Sequence, residues 1–293
     1  MRKMQLIIDS GATNTTCILL QDGDILVRFV SAGINISYTE DDTVSKILES
    51  CKKTLKAYSQ KEIEEIYFYG AGCGKRKNAD RLSGLLSGIF PHAVVYVYSD
   101  LLAACHALCG EKPGWVAILG TGSSCCLYDG ETILHTAPSL GYFLGDEGSG
   151  THLGKLFIIS YLSGQLPKDM SNKFEAAYQT DHVDIMERIY REAYPNKFLA
   201  SLPPFLLQNS GNASIGSLCR ESFTLFFRQQ ILHFREQYHN GELLNLMGSI
   251  AFHFKDIISE AAKENGVRIG RIMADPIEEL AFYYRHIPYS KKN

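Results

Sequence analysis

The chain has 293 residues, 45% hydrophobic and 21% charged, with a net charge of -3, enough for one large domain or two of moderate size with ample core. The near-neutral balance, with one short basic run at Lys75-Arg76-Lys77, excludes a nucleic-acid stripe. No apolar stretch approaches the roughly 18 residues of a membrane span, and the apolar segment behind Met1-Arg2-Lys3 stops at Asp9, too soon for a secretion signal. Eight cysteines include no C-x-x-C and no finger-like spacing, which reads as reduced, mostly buried thiols in a cytoplasmic protein.

In chain order, residues 4–9, 15–20 and 24–30 read as three strands, the latter two joined by the tight turn Asp22-Gly23. A helix follows at 41–57, with Val44, Ile47, Leu48, Cys51 and Leu55 at helical spacing. Strand 64–69 leads into Gly70-Ala71-Gly72-Cys73-Gly74, then come a helix at 78–88, a strand at 93–98 and a helix at 101–109. This is a mixed sheet with helical cover. At Trp115 the order begins again: "WVAILGTGSSCCLYDG" is strand, small-residue turn, strand and Asp-Gly turn, which predicts an internal duplication. Helices are expected at 147–163, 172–179 and 181–193, with Tyr178, Val183, Met186, Ile189 and Tyr190 inward. A short helix at 197–207 is expected to break at Pro203-Pro204, and a long one to run from 213 to 239. Strand 243–246, the turn Gly248-Ser249, helix 250–264, strand 267–273 and a last helix opened by Pro276 complete the chain.

Three strand-to-turn junctions stand out: Asp9-Ser10-Gly11-Ala12-Thr13-Asn14-Thr15, Gly120-Thr121-Gly122-Ser123 and Gly248-Ser249. Phosphate oxygens need backbone N–H groups, close approach and hydroxyl donors, and Gly, Ser and Thr supply these. Any one turn is equally a structural hairpin; two at the start of matching units, with a third before a helix, read as phosphate clamps. No G-x-x-x-x-G-K-[ST] occurs, so there is no P-loop lysine. Asp9, at a strand end beside such a turn, would hold Mg2+ or its water shell, or else cap the turn. Asp100 is either a helix N-cap or a general base for a substrate hydroxyl, and the two are compatible. In Gly145-Asp146-Glu147-Gly148-Ser149-Gly150, Asp146 suits sugar hydroxyls, while Glu147 reads as a cap of the next helix. Asn35 forms an Asx turn or offers its amide to a polyol. His106, His135 and His152 lack a catalytic partner in sequence and read as structural.

The ordered set "DSGATNT", "SD", "LGTGSS", "GDEGSG" and "MGSIA" resembles the phosphate, catalytic and nucleotide segments of the actin-like, sugar-kinase ATPase superfamily. Within it the chain is similar to the BadF/BadG/BcrA/BcrD-type ATPases, and among those to the N-acetylglucosamine kinases. The resemblance covers nearly the whole chain. It implies an α/β fold of two ribonuclease-H-like (actin-like ATPase) domains, each a mixed sheet with helical cover, around a central cleft. The expected domains are 1–112 and 113–293, the latter with helical insertions and a last helix that packs back on the first. It further implies ATP and Mg2+ as cofactors, an amino-sugar substrate phosphorylated at its 6-hydroxyl, and a homodimer. Asp100 falls on the catalytic base, Asn35, Gly141 and Asp146 on sugar ligands, Thr13 and Gly122 on phosphate contacts, and Gly248 and Ser249 near the nucleoside. Two departures bear on the sugar: Leu140 and Ser37 stand where mammalian-type N-acetylglucosamine kinases carry aromatic residues. The competing resemblance, to iron–sulfur dehydratase activators that act on a partner protein, lacks its cysteine ahead of the glycine-threonine-glycine, where this chain has Leu119. A third expectation is a non-catalytic sugar sensor.

Overall fold

The computed structural model describes residues 4–11, 13–58, 63–234, 236 and 242–286. The chain divides into two compact units: Met1–Lys112 with Gly130–Thr132 and Asp275–Asn293, and Pro113–Asp129 with Ile133–Ala274.

The first unit opens with a meander of β1 (Met4–Ser10), β2 (Asn14–Gln21) and β3 (Asp24–Ala32). Asp22 and Gly23 both have positive φ, 53° and 91°, the turn whose twist matches the flanking strands. There follow α1 (Asp41–Thr54), β4 (Ile63–Gly70), α2 (Arg76–Ile89), β5 (Val94–Ser99) and α3 (Asp100–Cys109). The sheet order is β3-β2-β1-β4-β5, with β1, β4 and β5 parallel. Side chains alternate across the pleat. Leu6, Ile8, Cys17, Leu19, Ile66 and Phe68 pack beneath α1 and α2. Ile7, Ile18, Leu20, Tyr67 and Tyr69 pack on the other face with Ala103 and the C-terminal helix, Ile277–His286. Both faces are covered, so the central strands are apolar throughout.

The second unit repeats the topology. Its strands are β6 (Gly114–Leu119), β7 (Ser123–Tyr128), β8 (Ile133–Thr136), β9 (Leu243–Met247) and β10 (Arg268–Met273), in order β10-β9-β6-β7-β8. Renumbered from β6, this is the first sheet's order read from its other end, and β6-β9-β10 is the parallel run. The duplication read from sequence is thus present strand for strand, and the fold is two mixed sheets of ribonuclease-H-like order, each with helical cover. Strand β8, four residues long, escaped the sequence reading. Between β8 and β9 lie α4 (Gly141–Leu144), α5 (Gly150–Leu162), α6 (Lys168–Tyr178), α7 (His182–Tyr190), α8 (Pro195–Ala200), α9 (Pro203–Gln208) and α10 (Ala213–Phe226). Helices α11 (Ser249–His253) and α12 (Lys255–Glu264) flank a break at Phe254.

Several helix expectations need correction. The break expected at Pro203-Pro204 is present, between α8 and α9, but the prolines open the second helix, since first-turn N–H groups have no intrahelical partner to lose. The long helix stops being α-helical at Phe226, passing into a π-helical turn at Phe227–Ile231 and a 3-10 turn at Leu232–Phe234; the remainder of its expected span falls largely outside the described residues. On α7 the phase was wrong. Ile185 is the buried residue and Ile189 packs partly against the core, whereas Val183, Met186 and Tyr190 are exposed. A peripheral helix buries one i, i+4 stripe and leaves the opposite face to solvent. Of the eight cysteines, seven are buried and Cys109 is half-buried, and none is joined in a disulfide. Among the described residues no helix is long and apolar enough to cross a membrane.

Candidate functional site

In the first unit, the parallel strands bring their carboxyl ends to one edge of the sheet, the usual place for ligands in such sheets. Asp9 lies near the end of β1, opposite Thr16 on β2 and Tyr69 on β4. Burial, with the neighbouring charges of Asp100 and Asp275, pushes its carboxyl up to about 7. Asp100, first residue of α3, accepts from the Leu101 amide at 2.9 Å, and burial raises its carboxyl as well. The N-cap of α3 is Ser99, whose hydroxyl accepts from the Leu102 amide at 3.2 Å, so the capping role considered for Asp100 falls to its neighbour. Asp275 accepts from the Ile277 amide at 3.1 Å at the start of the C-terminal helix. Sequence reasoning missed it; the signal was an Asp at a strand end immediately before Pro276.

The turn after β1 is closed by the Gly11 amide donating to the Asn14 carbonyl at 2.9 Å, and Gly11, Thr13 and Asn14 are exposed; Ala12 lies outside the described residues. Thr15 is buried and internally engaged: its hydroxyl donates to the Ala32 carbonyl at 2.7 Å and meets Ser10 Oγ at 2.6 Å. Ser10 Oγ in turn accepts from the Ile34 amide at 2.9 Å, and the Gly33 amide donates to the Thr13 carbonyl. The turn therefore carries the segment that presents Asn35. Asn35 Oδ1 accepts from the Ser37 amide at 3.1 Å, the Asx turn foreseen, which directs its Nδ2 donor elsewhere. Asn78 on α2 donates to Ser37 Oγ at 3.1 Å and to the Gly72 carbonyl at 2.8 Å. Gly72 has φ 83° and no room for a Cβ against Ser37 Oγ and Asn35 Oδ1, so this position requires glycine. The Gly70–Gly74 loop sits beside Asp100, whose charge adds to burial in raising the Cys73 thiol to about 12. Gly72 and Asn78 had carried no role in the sequence reading, and Ser37 only that of replacing an aromatic residue.

In the second unit, Gly120, Thr121, Gly122, Ser123, Asp146 and Gly248 are brought together. The Gly120 amide donates to the Gly122 carbonyl, while Gly150 and Thr151 at the start of α5 donate to the carbonyls of Gly120 and Thr121. Gly248, φ 113°, lies against the Leu119 carbonyl where no Cβ fits, and Ser249 follows, exposed, as the first residue of α11. Asp146 leans over Gly122, its Oδ2 3.1 Å from where a Cβ would stand, and its Oδ1 lies 3.5 Å from the Ser123 amide. Burial raises its carboxyl, with Ser123 and Lys155 acting against the rise and Glu147 with it. Glu147 is buried and accepts from Gln230 of the π-helical turn at 3.4 Å. The cap of α5 is Ser149, not Glu147. Gly141 opens α4 at φ 72°, and Leu140, Phe143 and Leu144 around it are exposed.

Magnesium is implied by the superfamily, and the first unit's donor set fits it. Half-buried Asp9 feels the charges of two further carboxylates, Asp100 and Asp275, an environment that favours a cation and offers the hard oxygen donors that Mg2+ prefers. Among the described residues no three His, Cys, Asp or Glu are grouped to chelate a metal directly, so an ion here would keep water ligands and take phosphate oxygens, its usual mode. His106 and His152 take structural places, His106 Nδ1 pairing with Tyr69 OH and His152 Nδ1 with Ser222 Oγ, each at 2.7 Å, whereas His135 is exposed on β8.

No family model matches the chain, and no curated protein does. Solved structures do. A candidate N-acetylglucosamine kinase from Porphyromonas gingivalis is 37% identical, with 96% of this chain and 99% of that one covered and a TM-score of 0.91. Another from Chromobacterium violaceum shares 18% identity over 96% and 98% of the two chains, TM-score 0.75. A ROK glucokinase from Streptomyces griseus, solved with glucose and AMPPNP, shares the fold at 14% identity, 96% and 97% coverage and a TM-score of 0.57. With more than a third of its residues shared along almost its full length with the first of these, this chain belongs to the BadF/ROK group of the actin-like ATPase superfamily.

Proposed function

We propose that the protein is an ATP-dependent sugar kinase that transfers the gamma-phosphoryl group to the 6-hydroxyl of an amino sugar, N-acetylglucosamine. The observation that carries this reading is the meeting of Asp9, Asp100 and Asp275 charges at the carboxyl edge of the first sheet, on the same unit as the oriented amide of Asn35. Family membership and the likeness to candidate N-acetylglucosamine kinases support it.

Each residue has a task in this chemistry. Asp100 orients the acceptor hydroxyl and takes its proton; burial keeps its carboxyl more basic than an ordinary aspartate, which favours that transfer. Asn35, with Oδ1 occupied by Ser37, donates Nδ2 to a sugar hydroxyl, and Asp146 accepts from others. Backbone amides around Gly11, Thr13, Asn14, Gly120, Thr121, Gly122 and Ser123, with the Thr13, Thr121 and Ser123 hydroxyls, bind phosphate oxygens as charge redistributes. Thr15 supports its turn from within. Gly248 and Ser249 lie toward the nucleoside. Asp9 would hold Mg2+, which when bound supplies charge neutralisation to the phosphoryl oxygens. Exposed Leu140, Phe143 and Leu144, flanking Gly141, offer apolar contact for an acetamide methyl.

The test is ADP release measured with Mg-ATP against a panel of hexoses and hexosamines. N-acetylglucosamine-dependent turnover is expected. Turnover indifferent to every sugar would replace the kinase with a regulatory ATPase acting on a partner protein, and sugar binding without turnover would replace it with a sensor.

A further inference from the structure

Asp146 is in an uncomfortable place for a residue that serves only the sugar. Its φ is 59°, a left-handed conformation uncommon outside glycine and concentrated at functional sites. Gly145 and Gly148 flank it, the latter at φ 76° and pressed against Phe226. The backbone therefore delivers the carboxylate in a chosen direction, over Gly122 and toward the Ser123 amide. The contact with that amide, at 3.5 Å, is long for a hydrogen bond to a charged acceptor. Ser123 itself is incomplete: its Oγ is buried and has no hydrogen-bond partner. A buried hydroxyl without a partner is unusual and calls for an explanation. One residue thus presents an orphan hydroxyl and a loosely held amide, with a carboxylate leaning toward the amide.

Resting on the kinase reading, we infer that Asp146 is a shared ligand that couples nucleotide to sugar. Before nucleotide arrives its carboxylate occupies the space in front of Gly122 and Ser123. A phosphate oxygen reaching the Ser123 amide and hydroxyl completes both donors and displaces Asp146, since two anionic acceptors cannot share one amide. The released carboxylate is then free to accept from sugar hydroxyls. Nucleotide and sugar binding are consequently linked with positive sign through one side chain, and the linkage is reciprocal. All of this takes place within the second unit, among residues that already touch.

The inference makes a prediction of opposite signs. Asn is isosteric with Asp and tolerates left-handed backbone, so Asp146→Asn keeps the fold and removes only the charge. A plain sugar ligand would, when neutralised, weaken sugar binding and leave nucleotide alone. A merely structural residue would weaken both. A shared ligand weakens the sugar and tightens the nucleotide, because the competitor for Ser123 has gone. Titration calorimetry with Mg-AMPPNP in the absence of sugar should find D146N binding about fivefold tighter than wild type, the scale of one released ordinary hydrogen bond. The N-acetylglucosamine KM of the same variant should rise about tenfold or more. In wild type, AMPPNP should tighten N-acetylglucosamine binding, and in D146N that enhancement should shrink toward unity. AMPPNP affinity in D146N equal to or weaker than wild type would overturn the inference while leaving the kinase reading intact. A wild type that bound no AMPPNP would remove the kinase reading and this inference with it.

Discussion

Two aspartates carry the sharpest expectations at the scale of single residues. Asp100→Asn preserves shape but can neither accept a proton nor hold the acceptor hydroxyl as an anion does. We expect kcat to fall by at least about 100-fold with the KM for ATP nearly unchanged; steady-state kinetics retaining near-wild-type kcat would unseat Asp100 as the base. Asp9 yields a stability prediction as well as a catalytic one. Its folded carboxyl stands at about 7, against about 3.9 in an unfolded chain. Between those values the folded state holds more protons than the unfolded state, so stability falls as pH rises through the window. D9N cannot ionise and has no such slope. Thermal melts without nucleotide or metal should give D9N the higher Tm at pH 8, with the gap closing by about pH 4, and turnover of the variant is expected to be lost. Matching Tm values at pH 8 would mean that the Asp9 carboxylate is not under strain from its neighbours.

At the scale of elements, the C-terminal helix matters beyond covering the first sheet. Its Tyr284 stacks on Tyr67 with ring centroids 3.9 Å apart and exchanges a 2.6 Å hydrogen bond with Tyr69, which also meets His106. Tyr283 stacks on His106 at 4.3 Å. This aromatic layer fastens the far end of the ten-residue helix whose first turn is capped by Asp275, so packing well away from any turn motif determines where a third carboxylate stands relative to Asp9. Tyr284→Ala should cost about 3–5 kcal/mol in urea unfolding, while Tyr284→Phe, which keeps the ring and loses one hydrogen bond, should cost about 1 kcal/mol. Equal costs for the two would mean that the stacking contributes little. The short helices were less legible than this one. The 3.6-residue pattern located α7, but its five apolar residues lie on two faces, and only contact with the rest of the unit selected Ile185 and Ile189 for burial.

For the molecule as a whole, pH stability joins the two units' chemistry. Burial depresses His106 in the first unit and His152 in the second to about 4 each. Below the unfolded value of about 6.5 the unfolded chain takes up protons that the folded chain refuses, so the stability these histidines contribute is present above that pH and lost as it falls toward 4. This slope opposes the one from Asp9. In D9N the acid limb should therefore be steeper than in wild type between about pH 6.5 and 4, as read from urea midpoints across pH; parallel limbs in the two proteins would contradict it.

The order of elements, the duplicated strand plan and the positions of the glycine turns were determined by sequence alone, because strand and helix periodicity and positive-φ turn residues act over a few neighbours. Asp22-Gly23, the meander before it and the repeat at Trp115 are local in this sense, and so is the family pattern of small motifs. What only the tertiary structure decided was which groups share an environment. Asp275 reaches Asp9 through the return of the chain to the first unit, Asn78 braces Ser37 and Gly72 from a different helix, and Asp146 leans on Ser123 across a loop. Charge, burial and hydrogen-bond competition depend on distances in space, and those distances arise from packing both faces of two sheets, which no short window of residues encodes.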